Sequence, residues 1–234
     1  MSPQSVTVDA VLFDMDGTLL DSTPGVEATW EQYKEKYDLD LDEVLKHAHG
    51  MRTQDNMKNW CGIKGEEESA KEAEKFEGLI VENAKRLQDM GKTGLIILPG
   101  VKDILESLNT APEPCWSIVT SARYKYASAA LPTAAVPPHH HLVTANDVQN
   151  GKPNPEPYLK GAAKLGVDTK NCVVVEDAPS GIKAGVAAGA HVLAVCTSFP
   201  REMLEGLGAE WIVEDLTHVR AEPIDGRVKV TILD

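Results

Sequence analysis

Short apolar runs rich in β-branched residues recur along the chain at Val8–Phe13, Cys115–Thr120, Cys172–Val175, His191–Cys196 and Trp211–Val213. Between several of them the apolar positions switch to a helical period, as in Val101–Leu108 and Glu156–Leu165. Strands that alternate with helices predict an α/β fold, a Rossmann-like parallel sheet with helices on both faces. Such a sheet receives ligands at the carboxyl ends of its strands. Residues 23–95 interrupt the rhythm. They hold no convincing strand, and Val26–Tyr37, Leu41–His47 and Glu66–Met90 read as helices. The expected organisation is a core made of residues 1–22 and 96–234, with 23–95 inserted as a helical unit bounded by the turn-forming segments STPG and GKTG. The Glu- and Lys-rich stretch after Glu66 reads as a solvated helix face carrying i,i+4 ion pairs.

Composition then limits the function. With 42% hydrophobic and 25% charged residues the chain is ordinary for a globular protein. It lacks an apolar run of the ~18 residues that a membrane span needs. Its start, MSPQSVTVDA, lacks the basic and then apolar pattern of a secretory signal. A cytoplasmic monomer is expected. A net charge of −13 argues against nucleic acid as a partner and requires local cations wherever an anion binds. Cys61, Cys115, Cys172 and Cys196 show no close pairing, so neither a disulfide framework nor a zinc site is expected. His139, His140 and His141 are consecutive and do not converge on one ion.

Candidate chemistry begins where the first run ends. In FDMDGT, Asp14 leaves the carboxyl edge of a strand and Asp16 follows two residues later. A D-G turn would explain the pair without any site. Two close carboxylates otherwise need a cation, and Mg²⁺ suits an all-oxygen set that leaves room for a phosphate. The run VVVEDAPSG ends likewise in Glu176 and Asp177, although acids before Pro179 also suit a helix start. In NGKPNPEPY, Lys152 sits in a proline-stiffened loop and offers the missing positive charge. In CWSIVTSAR, Thr120 and Ser121 could seat phosphate oxygens or cap the next helix.

These pieces in this order, DxDGT, a hydroxylated strand end, GKPxP and an apolar run ending in ED, resemble the haloacid dehalogenase (HAD) superfamily of phosphotransferases. The helical insertion looks like its C1-type cap. Within it HAHGMRTQDN, TANDVQNGKPNPEPYLKG and VVVEDAPSGIKAG are most similar to the fungal glycerol-3-phosphatases and 2-deoxyglucose-6-phosphatases. The resemblance implies a Mg²⁺-dependent phosphatase of small sugar or polyol phosphates. Asp14 would be the nucleophile, forming an aspartyl phosphate, and Asp16 the acid and base that also lends its carbonyl to the metal. Asp177 would be a metal ligand, with Glu176 acting directly or through water. Lys152 would bind the phosphoryl group and Asp14, Thr120 and the Ser121 backbone would hold phosphoryl oxygens, and Thr18 would support the loop. The C1 cap would bring Arg52 to the substrate, with His49, Thr53 and Asn56 as further candidates and hinges near Ser22–Pro24 and Lys92–Gly94.

Two other functions use the same residues. A sugar phosphomutase of the β-phosphoglucomutase type would share the core, and a non-catalytic phosphometabolite-binding protein would share the seat. A binder has no need of both Asp14 and Asp16. A dehalogenase needs only the first acid.

Overall fold

The computed structural model describes residues 4–233. The chain opens with β1 (Gln4–Val8), β2 (Ala10–Phe13) and β3 (Leu20–Asp21). Four helices follow, α1 (Thr23–Tyr37), α2 (Leu41–Ala48), α3 (Thr53–Asn59) and α4 (Glu66–Asp89). Next come β4 (Ile96–Ile97), α5 (Val101–Leu108), β5 (Trp116–Val119), α6 (Tyr124–Thr133), β6 (Leu142–Val143) and α7 (Glu156–Leu165). The chain finishes with β7 (Cys172–Glu176), α8 (Pro179–Ala187), β8 (His191–Val195), α9 (Arg201–Leu204), β9 (Trp211–Val213), β10 (Val219–Ile224) and β11 (Arg227–Ile232).

The main sheet is parallel, in the order β6-β5-β2-β7-β8-β9. Its central strands are apolar on both faces because both faces are covered. Val11 and Phe13 pack with Trp116, Ile118 and helices α5 and α6, whereas Ala10 and Leu12 pack with Tyr158, Ile182 and helices α7 and α8. From β2 the chain order runs outward in one direction through β5 and β6, and in the other through β7, β8 and β9. That reversal places a crevice at the carboxyl end of β2.

The first apolar run is not a single strand. At Asp9 the backbone N–H turns to Asn171 O at 2.7 Å and the carboxylate pairs with Arg227 at 3.0 Å, so β1 leaves for a second sheet. This antiparallel sheet, β1-β11-β10, was not expected from the sequence, although Val228, Val230 and Ile232 alternate after an Asp225-Gly226 turn. Residues 23–95 hold helices and no strand. The two crossings into and out of this stretch are tied by β3 and β4, paired Leu20 to Ile97 and Asp21 to Ile96. Helix α3 lies inside the HGMRT-containing segment and was not anticipated as a helix. Among the described residues no helix is long and apolar enough to cross a membrane, and all four cysteines are free.

Helix α4 departs from the expected solvated face. Glu67 does pair with Lys71 at 2.8 Å in the i,i+4 manner. The same helix, however, buries Ala73, Phe76, Glu77, Ile80 and Ala84 between its neighbours, with Phe76 centred 4.5 Å from Trp30 of α1 and Glu77 bonded to Thr53 of α3.

Candidate active site

The sequence motifs meet at the carboxyl ends of β2, β5 and β7. Asp14 and Asp16 follow β2, Thr120 and Ser121 follow β5, and Glu176 and Asp177 end β7. Gly17 lets the acid loop turn back at φ +86°, and a Cβ there would lie 2.1 Å from Asp177 Oδ2. Only glycine admits both the left-handed backbone and that approach. Thr18 Oγ1 donates to Asp177 Oδ1 at 3.2 Å, joining the two acidic strand ends.

Lys152 lies at the centre, its side chain wholly buried. Its Nζ donates to Asp14 Oδ1 at 2.5 Å, Glu176 Oε1 at 2.7 Å and Val119 O at 2.9 Å. Burial alone would strip the proton from this amine, but Asp14 and Glu176 outweigh it and hold the ammonium charged. Burial pushes Asp14 upward, and Glu176 and Asp177 push the same way against the attraction of Lys152. Asp16 is also raised by burial, opposed by hydroxyls of Ser22 and Tyr126. Tyr126 OH donates to Asp16 Oδ1 at 2.7 Å.

One oxygen each of Asp14, Glu176 and Asp177 lies within 4.8 Å of the others. The site therefore carries an excess of close negative charge and hard oxygen donors, the chemistry that fits Mg²⁺. Glu176 holds a different position from Asp14 and Asp177. Its Oε1 accepts from Lys152 and Tyr158 and its Oε2 from the N–H groups of Asp177 and Ala178. All four acceptor directions are thus engaged, and direct ligation would break one of these bonds. Gly181 protects this arrangement, since a Cβ there would sit 1.6 Å from Glu176 Oε1. Helix α8 still starts at Pro179, so the helix-start reading and the acidic site coexist.

A cavity of ≈ 300 Å³ lies between the strand ends and the helical segment, the scale of one small ligand. Asp14, Asp16, Thr120 and Ser121 line it from the sheet. Thr120 Oγ1 accepts from Ala122 N at 3.0 Å, while Ser121 Oγ donates to Gly50 O at 2.9 Å and ties the sheet to the loop before α3. Neither caps α6, whose N-cap position is Arg123. From the helical side His49, Thr53 and Asn56 reach the wall. His49 Nε2 lies 2.8 Å from Asp177 Oδ2. Burial would lower its pKa, but Asp177, Asp14 and Asp16 outweigh this and bring it up to about 9. Asn56 Nδ2 donates to Ala48 O at 2.9 Å.

Arg52, expected at the substrate, is held elsewhere in this structure. Its guanidinium donates to both oxygens of Asp55, at 2.7 and 3.1 Å, and to Gln149 O at 2.8 Å. It is absent from the cavity wall, because these partners hold it against the loop that leads to Lys152. Three buried residues were not anticipated. Tyr126 and Tyr158 hold Asp16 and Glu176, as described above. Glu77, 2% exposed, also lines the cavity. Its Oε1 accepts from Thr53 Oγ1 at 2.8 Å and Arg123 N at 3.2 Å, and burial pushes its carboxyl up to about 7 against these bonds. Its place on the apolar stripe of α4, one turn from Ala73 and Ile80, was the available signal.

The profile of the haloacid dehalogenase-like hydrolases matches residues 8–189. The chain belongs to this family. As a haloacid dehalogenase-like hydrolase it is 40% identical over 184 residues to hexitol phosphatase A of Escherichia coli, covering 79% of this chain and 81% of that one. It is 34% identical over 226 residues to glycerol-1-phosphate phosphohydrolase 1 of Saccharomyces cerevisiae, covering 93% and 86%. A hydrolase structure from Pseudomonas syringae superposes with a TM-score of 0.71 at 27% identity, covering 88% of this chain and 93% of that one. The α/β core is thus that of a haloacid dehalogenase-like hydrolase, and the chain is a phosphatase-type enzyme.

Proposed function

We propose that the chain hydrolyses small sugar or polyol phosphate monoesters, with Mg²⁺ bound, through an aspartyl phosphate on Asp14. The observation that carries this reading is the buried contact of Lys152 with Asp14 at 2.5 Å, beside Asp16. One Asp14 oxygen holds the lysine, which leaves the other to attack phosphorus. The Asp14–phosphorus bond forms as the ester P–O bond breaks, and Asp16 gives its proton to the departing alkoxide. Asp16, now a carboxylate, takes a proton from water; the resulting hydroxide displaces Asp14 and releases inorganic phosphate. Tyr126 fixes the orientation of Asp16 throughout, and Lys152 and the loop at Thr120 and Ser121 hold the phosphoryl oxygens. Asp14 and Asp177 would hold the cation with the Asp16 carbonyl, while Glu176 anchors Lys152. When bound, Mg²⁺ supplies positive charge to the phosphoryl oxygens in this acidic site.

Residues 23–95 act in this reading as a cap that hinges at the β3–β4 ribbon, on a core of residues 1–22 and 96–234. A family relative acting on a hexitol phosphate and another acting on a glycerol phosphate support the substrate class. A phosphomutase fits less well. Moving a phosphoryl group between two hydroxyls through Asp14 creates a bisphosphorylated sugar, yet no Lys or Arg lines the cavity to hold a second phosphate.

A phosphate-release screen over sugar and polyol phosphates tests the proposal. Activity is expected to vanish with EDTA and return with Mg²⁺. Asp14→Asn is expected to lower kcat by ~10³-fold or more. Undiminished Mg²⁺-dependent hydrolysis by that variant would remove Asp14 from the chemistry.

A further inference from the structure

Glu77 presents an unexplained feature at the far wall of the cavity. It sits in the middle of α4, beside Phe76 and Ile80 and across from Trp30, and it is 2% exposed. Its Oε1 is occupied by Thr53 and Arg123 N, but its Oε2 is buried without a hydrogen-bond partner. An orphaned buried carboxylate oxygen is costly, and an alanine or leucine at this position of the stripe would avoid the cost. Above a pH of about 7 the carboxyl is ionised, and Oε2 is then an acceptor without a donor. The nearby positive charge already comes from Arg123, whose guanidinium reaches Gln54 Oε1 at 3.3 Å, so the missing group is a neutral donor rather than a cation. The charged groups of the wall on this side are Glu27 and Glu77, with no Lys or Arg.

We propose that Glu77 is a specificity-determining residue: its Oε2 accepts a hydrogen bond from a hydroxyl of the leaving group, and the site selects neutral, polyhydroxylated esters over esters carrying a second anionic group. A hydroxylated chain satisfies the orphaned oxygen and lays its carbon backbone on Trp30 and Phe76. A carboxylate or second phosphate in the same place meets Glu77 and Glu27, while the cations nearby, His49 and Arg123, are already engaged by Asp177 and Gln54. The proposal rests on the phosphatase reading above, and its test separates the two.

Phosphate release is measured for glycerol 3-phosphate, propyl phosphate and 3-phosphoglycerate, with wild type, Glu77→Gln and Glu77→Leu. These esters share a three-carbon skeleton and differ in hydroxyls and in the added carboxylate. Wild type is expected to favour glycerol phosphate over each of the others by about tenfold or more in kcat/KM. Glu77→Leu should lower kcat/KM for glycerol phosphate about tenfold, chiefly through KM, while changing propyl phosphate less than about threefold. Glu77→Gln keeps the size and the Thr53 and Arg123 bonds and should raise turnover of 3-phosphoglycerate. If Leu fails to fold by thermal melting, the Gln variant decides. Equal losses on all three esters, or no loss on glycerol phosphate, would overturn the role of Glu77. Absence of phosphate release by folded wild type from every ester, p-nitrophenyl phosphate included, would sink the phosphatase reading itself.

Discussion

Lys152 couples the chemistry to the stability of the site. Its ammonium is the shared partner of Asp14 and Glu176, and neither carboxylate has another cation within hydrogen-bonding distance. Removing one member of a buried ion cluster leaves the others charged out of water, at a cost of about 3–5 kcal/mol. Lys152→Met is therefore expected to abolish phosphate release and to lower the urea midpoint at pH 7. The loss should shrink as the pH falls, because Asp14, already pushed upward by burial, then takes up a proton in place of the ammonium; a pH series of urea titrations reads this directly. Legibility at this scale followed local context. Asp14, Thr120 and Asp177 each end an apolar strand and Lys152 precedes a proline, so their convergence could be inferred from the sequence. The partners of Arg52 were not legible because a cation's partner is set in three dimensions: Asp55 and the Gln149 carbonyl hold it. Tyr126 and Tyr158 carried no distinguishing pattern, since each reads as one more apolar position of a helix.

Among the elements, α4 shows what charge composition conceals. Its outward acids form exposed ion pairs that contribute little each, and Glu77 looks like one more of them in KEAEKFEGLIVENAK. Helical spacing, rather than charge, sets it on the buried stripe. This placement has a thermodynamic signature. With a folded pKa of about 7 against an ordinary carboxyl value of 4.5, the folded chain binds a proton between those pH values that the unfolded chain has lost. Stability contributed by this group therefore falls as pH rises through that window and levels off above it. Glu77→Gln removes the dependence. Relative to wild type, the variant is expected to gain ~1–3 kcal/mol between pH 4.5 and pH 8 in urea titrations. A difference that stays flat with pH would show that Glu77 titrates as an ordinary surface acid. Helices α5 and α7 matched their sequence patterns because packing and local periodicity agree there. The β10–β11 hairpin was not legible despite its alternation and Asp225-Gly226 turn, because its sheet is completed by β1 from the far end of the chain.

For the whole molecule, the polar links between the helical segment and the core include Ser121 to Gly50, His49 to Asp177, Arg52 to Gln149, Arg123 to Glu77 and Gln54, and Lys125 to Glu74. Arg52 reaches from the helical segment to the loop that carries Lys152. Arg52→Ala is expected to reduce kcat/KM for every ester alike, by about 3- to 10-fold, the scale of one partly exposed ionic contact. A changed ranking of esters would instead place Arg52 at the substrate. The second sheet acts over a longer range in sequence. Val8 pairs with Val228, 220 residues later, at the point where the chain turns from β1 into β2 and its terminal acid. During synthesis at ~5–20 residues per second, β1 then waits roughly 10–45 s for the strand that covers it. Until then Val6 and Val8 remain available to chaperones. A ribosome that stalls before Arg227 would release a chain with a sticky edge next to Asp14, a form for quality control to remove.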